Sequence, residues 1–352
     1  WGWRESVSLH STNSKQGANE DLSFIKRKEL SVNLKTSLWN RMITADASFF
    51  VNSIEGKIVT STTQYPEYFF TYYPTASFRP YINYDNDRRM GFDFNVNYNK
   101  RFGKVDFTAG VTGTYYTTKA TKRDELHQDK YQYRKGYAVD GIWGLQCIGF
   151  FKDEQDIIDS PEQRLGGTIR PGDLKYVDQN NDGIIDDKDQ VYLARGGWYG
   201  APLALGINLT AKWKGVTFFV LGTGEFGGHA MKNNESYYWI SGEDKYSAVV
   251  RGRWTPETAA TATYPRLTTE SGTNNFYSSD FWMYKTDAFR LAKVQVTYDL
   301  PSKWFKNSFV HGVSAYISGS DLLTISKERK ALELNVGSSP QCRFYNLGVT
   351  AT

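Results

Sequence analysis

The chain has 352 residues, a formal net charge of +4, and a composition in which 40% of residues are hydrophobic and 16% are aromatic. Its 42 basic and 38 acidic residues are scattered without a basic stripe, so charge gives no support to nucleic-acid binding. No stretch reaches the roughly 18 consecutive apolar residues that a membrane-spanning helix needs. If the chain crosses a membrane, strands must cross it.

Apolar and polar residues alternate in many segments, and this period of two predicts β-strands. In chain order the predicted strands are 30–38, 43–51, 91–102, 105–116, 203–213, 216–222, 294–300 and 345–351. Short turns such as "NKRFGK" and "KWKG" join neighbouring strands. The pattern is typical of an antiparallel meander.

The hairpin at 91–116 has one apolar and one polar face. The apolar face carries Phe92, Phe94, Val96, Tyr98, Phe107 and Val111, and the polar face carries Asp93, Asn95, Asn97, Asp106 and Thr108. In a sandwich the apolar face packs on a second sheet, whereas in an outer-membrane barrel it contacts lipid while the polar face lines the lumen. Alternation alone fits both architectures.

Long polar connections separate the strand pairs, at roughly 53–88, 117–139, 152–200, 225–285 and 320–342. Connections of this length usually carry function or small folds of their own. Short turns at one end and long loops at the other favour a transmembrane barrel, because a sandwich distributes its loops more evenly.

Residues 173–191 contain the most specific motif, with oxygen ligands at EF-hand spacing. The predicted ligands are Asp178, Asn180, Asp182, the Ile184 carbonyl, Asp186 and Asp189, with Gly183 at the turn. Asp189 replaces the usual Glu, so we expect weaker binding. Because no helical periodicity flanks the loop, the expected role of Ca²⁺ is structural. The alternative is an Asx-rich turn that caps itself.

Aromatic clusters in the long connections are candidate substrate contacts. They are Trp198, Tyr199, Tyr237, Tyr238 and Trp239, which could equally pack within their own loops. No catalytic constellation stands out: the histidines lack metal-ligand spacing, and Cys147 has no neighbouring base. We therefore expect a protein that is not an enzyme.

Several ordered segments resemble SusC/RagA-type TonB-dependent transporters of Bacteroidetes outer membranes. They are "RPGDLKYVDQNNDGIIDDKDQV" at 170–191, "GAPLALGINLTAKWKGVTFFVLGTGEFG" at 200–227, "YPRL" at 264–267, "SSDFWMYKTDAFRLAKVQVTYDLP" at 278–301, "AYISGSDLLTIS" at 315–326 and the closing "FYNLGVTAT". The calcium-type loop carries over at Asp178, Asn180, Asp182 and Asp186, with Asn181 where the family tends to have Gly.

The resemblance implies an all-β, antiparallel transmembrane β-barrel in the outer membrane of a Gram-negative bacterium, with the calcium loop in an extracellular connection. It implies energised import of a glycan oligomer or peptide, with a SusD-like surface lipoprotein as partner. A dimer of two such pairs is a possible assembly. We expect residues 1–352 to supply the C-terminal part of the barrel, with the plug and the region that contacts TonB outside this chain.

A function of another class also fits the composition. A secreted, calcium-stabilised β-sandwich that binds glycans would share the alternation, the aromatic residues and the calcium loop. Resistance to unfolding in cold detergent distinguishes a barrel from such a sandwich.

Overall fold

In the computed structural model of the chain, the described residues are 2–4, 7–9, 18–64, 79–197, 199–235, 237–240, 247–269, 272–305, 312–330 and 341–351. The strands in these ranges are β1 (Gly2–Arg4), β2 (Val7–Leu9), β3 (Lys26–Leu38), β4 (Ile43–Thr60), β5 (Tyr81–Phe102), β6 (Val105–Lys122), β7 (Gly141–Gly144), β8 (Cys147–Phe150), β9 (Glu162–Gln163), β10 (Leu174–Tyr176), β11 (Ile184–Ile185), β12 (Val191–Arg195), β13 (Leu203–Trp213), β14 (Val216–Phe226), β15 (His229–Met231), β16 (Met283–Lys285), β17 (Ala288–Asp299), β18 (Val313–Ile325) and β19 (Phe344–Ala351).

Helical structure is limited to short segments within these ranges. The α-helix that the structure describes in full is α1 (Glu154–Ile158), and the described 3₁₀ turns are Lys130–Gln132, Asp187–Asp189, Lys232–Asn234, Ala248–Gly252, Asn274–Phe276 and Ser302–Phe305. None of the helices that the structure describes is both long and apolar enough to span a membrane.

The long strands form one nine-stranded sheet in the order β19-β18-β17-β14-β13-β6-β5-β4-β3. The strands β13 and β14 are antiparallel over their whole length, from Leu203 opposite Phe226 to Trp213 opposite Val216. The order follows the chain except where the small strands β7–β12 and β15–β16 interrupt it. The predicted antiparallel meander is confirmed, and the long strands form one sheet where a sandwich would need two.

The strands extend beyond the alternating segments, so the predicted loop boundaries 53–88 and 117–139 are wrong. The strand β4 continues to Thr60, β5 already begins at Tyr81, and β6 continues to Lys122. In this extension the buried carboxylate of Asp87 lies 2.9 Å from Lys57 Nζ and 2.5 Å from Arg123 Nη2. In these strand extensions, where apolar and polar residues no longer alternate, ion pairs connect the neighbouring strands.

The described chain divides into two compact units. One comprises residues 1–31, 50–90 and 117–139, which include the charged strand extensions. The other comprises residues 32–49, 91–116 and 140–352, which include the alternating hairpins and the two longest connections.

The second unit keeps the two faces of the sheet chemically distinct. A Cβ added at Gly110 would lie 2.6 Å from Asn97 Oδ1 and 2.7 Å from Asn208 Nδ2, so these amides crowd one face across three strands. A Cβ added at Gly113 would meet Phe94 and Leu205 side chains in the same way. On the apolar side Val96 and Val111 remain 41% and 40% exposed. In the described residues no second sheet covers this stripe.

The two longest connections fold together around a shared hydrophobic core. The small sheets β7–β12, β8–β10 and β9–β11 come from the first connection, and β15–β16 borders the second. The core contains Leu145, Leu165, Leu174, Tyr176, Ile185, Tyr264, Phe276 and Trp282. Each fully buried apolar side chain contributes roughly 1.5–3 kcal/mol. We call the described parts of residues 140–196 and 229–285 the loop domain.

A backbone contact inside the loop domain joins the two connections directly. The Leu145 N–H donates to the Ser278 carbonyl at 2.8 Å, and the Asp280 N–H donates to the Leu145 carbonyl at 3.2 Å. A Cβ at Gly144 would overlap the Ser278 carbonyl oxygen, so only glycine permits this approach.

The two faces predict opposite responses to an added charge. Val111→Lys should weaken folding into lipid by about 2–4 kcal/mol if the site lies near the bilayer midplane, because the ammonium must leave water. Asn95→Lys is the matched control, since the Asn95 side chain accepts a hydrogen bond from Asn97 on the polar face. Refolding into vesicles in a urea series, followed by heat-modifiable gel mobility, measures both variants. Equal tolerance of the two lysines would contradict the assignment of the faces.

Candidate functional site

The predicted calcium loop has the backbone turn that its motif requires. Residues 178–189 begin after β10 and contain β11 and the 3₁₀ turn Asp187–Asp189. Gly183 has a φ of 82°, and Asn181 has a φ of 59°. Left-handed backbone at these two positions folds the loop tightly, which explains why Gly and Asn occupy them.

The side-chain oxygens of this loop accept hydrogen bonds from its own backbone. Asp178 accepts from the N–H groups of Asn181 at 2.7 Å and Gly183 at 2.9 Å. Asp189 accepts from Gln179 at 2.8 Å and from Asp186 at 2.8 Å, and so ties the two ends of the loop together. A carboxylate oxygen has a second lone pair, so these bonds do not exhaust its capacity.

The Ile184 carbonyl faces away from the neighbouring strand β9. The flanking carbonyls of Gly183 and Ile185 accept from the N–H groups of Glu162 at 3.0 Å and Arg164 at 2.9 Å. Successive carbonyls of an extended strand alternate in direction, so that of Ile184 points to the opposite side.

Convergence of the predicted calcium ligands is not seen. Among the described residues, no three His, Cys, Asp or Glu side chains come together as a group that could hold a metal ion. Asp189 is nevertheless fully buried, and its burial raises the pKa of its carboxyl group above the usual value. The spacing and the turn fit Ca²⁺, so calcium binding stays a prediction.

The predicted aromatic contacts lie in different surroundings. Trp198 lies outside the described residues, and Tyr199 is 56% exposed in the turn that closes at Gly200. Tyr237 and Tyr238 meet edge to face at 5.1 Å. Trp239 stacks on Phe276 with ring centroids 4.9 Å apart. The loop domain thus holds three of the five predicted residues, of which Tyr238 and Trp239 pack against the core.

Beside Trp239 is a cavity of about 410 Å³ in the loop domain. Its lining includes Trp143, Gln190, Asn233, Trp239, Phe276 and Tyr277. Sequence reasoning missed Trp143, Gln190 and Asn233. The strand that carries Trp143 has only four residues, too few for a pattern. Gln190 follows the last predicted calcium ligand without being one, and Asn233 lies in a polar stretch without a motif.

Buried ion pairs fix the position of the loop domain's elements. Arg195 Nε lies 3.1 Å from both carboxylate oxygens of Asp140, which is fully buried, and Arg195 Nη1 donates to the Tyr116 carbonyl at 2.5 Å. This pair links β12 and the residue before β7 to strand β6. The cost of removing both charges from water offsets much of the attraction in a buried pair, so we assign this pair a positional role and no net stability.

No family model matches the sequence. Over 62% of its length the chain is 28% identical to TonB-dependent receptor P26 of Formosa agariphila, of which it covers 23%. A chain of the RagAB peptide importer in the 'open-open' state superposes with a TM-score of 0.71 and 16% identity, covering 96% of this chain and 36% of that one. A chain of the RagAB peptide transporter superposes with a TM-score of 0.70 and 17% identity, covering 99% of this chain and 38% of that one.

These likenesses confirm the predicted fold. The chain has the fold of the RagAB chains on which it superposes. It spans 23% of the curated relative and 36–38% of the solved structures.

The Cys147 thiol is predicted to react slowly below strongly alkaline pH. Burial raises the pKa of this thiol to about 11, and the thiolate is the reactive form. At pH 8 roughly one molecule in a thousand would carry the thiolate, a fraction that rises tenfold per pH unit up to about pH 11. Maleimide labelling of a Cys342→Ser variant at several pH values measures this. Rapid labelling of Cys147 at pH 7.5 would contradict the raised pKa of this half-buried thiol.

Proposed function

We infer that the chain is part of the barrel of a SusC/RagA-type TonB-dependent transporter, and we propose that the whole protein imports a nutrient across the outer membrane. The nutrient is a glycan oligomer or a peptide. A SusD-like surface lipoprotein covers the extracellular connections, and the TonB system supplies energy through parts of the protein beyond this chain.

The observation that carries this proposal is the superposition of 96% of the chain on a RagAB importer chain at a TM-score of 0.71. It agrees with the similarity to a TonB-dependent receptor, which is independent of the coordinates. The exposed apolar stripe around Val96 and Val111 gives the physical reason, because lipid covers such a stripe in a barrel. A secreted sandwich would have to bury it against a second sheet.

Two observations bear on the substrate, and they favour different classes. The name of the RagAB neighbours favours a peptide. The aromatic and amide lining of the loop-domain cavity favours a glycan. Both classes therefore belong in a first test of import.

Uptake of labelled oligosaccharides and oligopeptides by cells that carry the full transporter and its lipoprotein tests the proposal. We expect accumulation of one class, lost when the transporter gene is deleted and also lost when TonB is deleted. Loss in both strains follows because the energy for release into the periplasm comes from TonB. Uptake that persists without TonB would contradict energised import, and an unchanged rate without the transporter would contradict import by this protein.

We also propose that residues 178–189 bind one structural Ca²⁺. The support is the oxygen spacing from Asp178 to Asp189, the left-handed Gly183 and the full burial of the Asp189 carboxylate, which a cation would stabilise. The residues that would hold the ion are Asp178, Asn180, Asp182, Asp186, Asp189 and the Ile184 carbonyl. When bound, the ion would supply a charge that holds the loop in the turn described above.

Calcium should raise the thermal stability of the detergent-purified transporter relative to chelator. At a hundredfold excess over its dissociation constant, a ligand bound only to the folded state adds about 2.7 kcal/mol. Asp182→Ala should abolish the difference, whereas Glu257→Ala, an exposed acid of another segment, should retain it. Thermal unfolding in about 5 mM calcium, which saturates the site, and in about 5 mM EGTA, which removes the ion, measures the effect. Equal stability of the wild type in both buffers would contradict the site.

A further inference from the structure

The cavity beside Trp239 has the properties of a binding site, and we propose that it binds one ring of a neutral sugar. Its volume of about 410 Å³ falls within the range of about 300–1,000 Å³ that small-molecule sites occupy. The inference rests on the proposed import function for its biological role, and it names the substrate class as a glycan. Binding itself can be measured without transport.

Rigid aromatic rings form one part of the lining. Trp239 stacks on Phe276, and Phe276 in turn stacks on Trp282 with ring centroids 5.8 Å apart and an interplanar angle of 21°. Trp143 meets Tyr192 edge to face at 5.8 Å, and its strand β7 pairs with β12. The rings are therefore held before any ligand arrives. The C–H face of a pyranose is apolar and packs on such surfaces with little entropic cost.

Asn233, a residue of the lining, carries an unsatisfied acceptor. Its side chain is 2% exposed, and its Nδ2 donates to the Phe276 carbonyl at 2.8 Å. Its Oδ1 is buried and has no hydrogen-bond partner among the residues that the structure describes. A buried acceptor without a partner destabilises the folded state, because it has lost its hydrogen bond to water. A ligand that donates a hydrogen bond to Oδ1 would remove this cost.

Two of the remaining polar groups of the lining bind a neighbouring carboxylate. Gln190 Nε2 donates to Asp187 Oδ1 at 2.9 Å, and the Tyr277 hydroxyl donates to the same carboxylate oxygen. The Tyr277 hydroxyl has thus committed its one proton, whereas Gln190 Nε2 keeps a second N–H for a ligand. Sugar hydroxyls bring donors of their own, which suits Asn233. The described lining residues carry no charge, so an uncharged ring is favoured.

Titration of the detergent-purified full transporter by isothermal calorimetry tests the site. The probes are maltotriose, cellotriose, mannotriose, laminaritriose and xylotriose, with trialanine and triglycine as peptide probes. We expect at least one trisaccharide to bind and Trp143→Ala and Trp239→Ala each to weaken its binding about tenfold through lost ring contact. Trp304→Ala removes an exposed tryptophan outside this lining and should leave the affinity unchanged.

Three results would overturn the proposal: no trisaccharide binds, a trisaccharide binds equally well to both cavity variants, or only the peptides bind. Trp239→Phe separates ring loss from misfolding, because it retains an aromatic ring on Phe276 and should recover part of the affinity. If import of a glycan persists in cells while both cavity variants bind it normally, the proposed function stands and only the sugar site fails.

Discussion

Complete backbone pairing is the constraint on which the rest of the structure depends. Inside a bilayer no water reaches the backbone, so each strand must find its hydrogen bonds on neighbouring strands. The nine-stranded sheet meets this demand across long antiparallel ladders such as β13 with β14. Once the ladders exist, alternating side chains provide an apolar face for lipid and a polar face for the lumen. Small residues such as Gly110 then allow amides on adjacent strands to crowd together.

Beyond the alternating segments of the strands, the source of stability changes. The charged extension uses ion pairs around Asp87, and the loop domain uses a conventional hydrophobic core. That core takes side chains from two connections far apart in the sequence. The calcium-type loop contributes Ile185 to it, so the proposed ion site and the core are mechanically linked. The cavity beside Trp239 is lined by residues from both connections for the same reason.

The sheet could be predicted from sequence because alternation is a local signal that repeats in every hairpin. The ends of the strands could not, since the pairing of Asp87 with Lys57 and Arg123 depends on residues about 30 positions away. The turn at Gly183 was predictable from spacing, whereas the positions of its carboxylates were not. The cavity escaped prediction because Trp143 and Asn233 come together only through the tertiary fold. Of the four predicted aromatic contacts that the structure describes, Trp239 is the one in its lining.

The close passage of Gly144 past Ser278 has a consequence for protein engineering and for evolution. The two connections joined by this backbone contact must evolve together. Recombination that exchanges one of them would leave the other without a matching surface. Ligand preference in such a protein would therefore change by replacement of both connections together, or by substitutions that leave the contact between Gly144 and Ser278 unchanged.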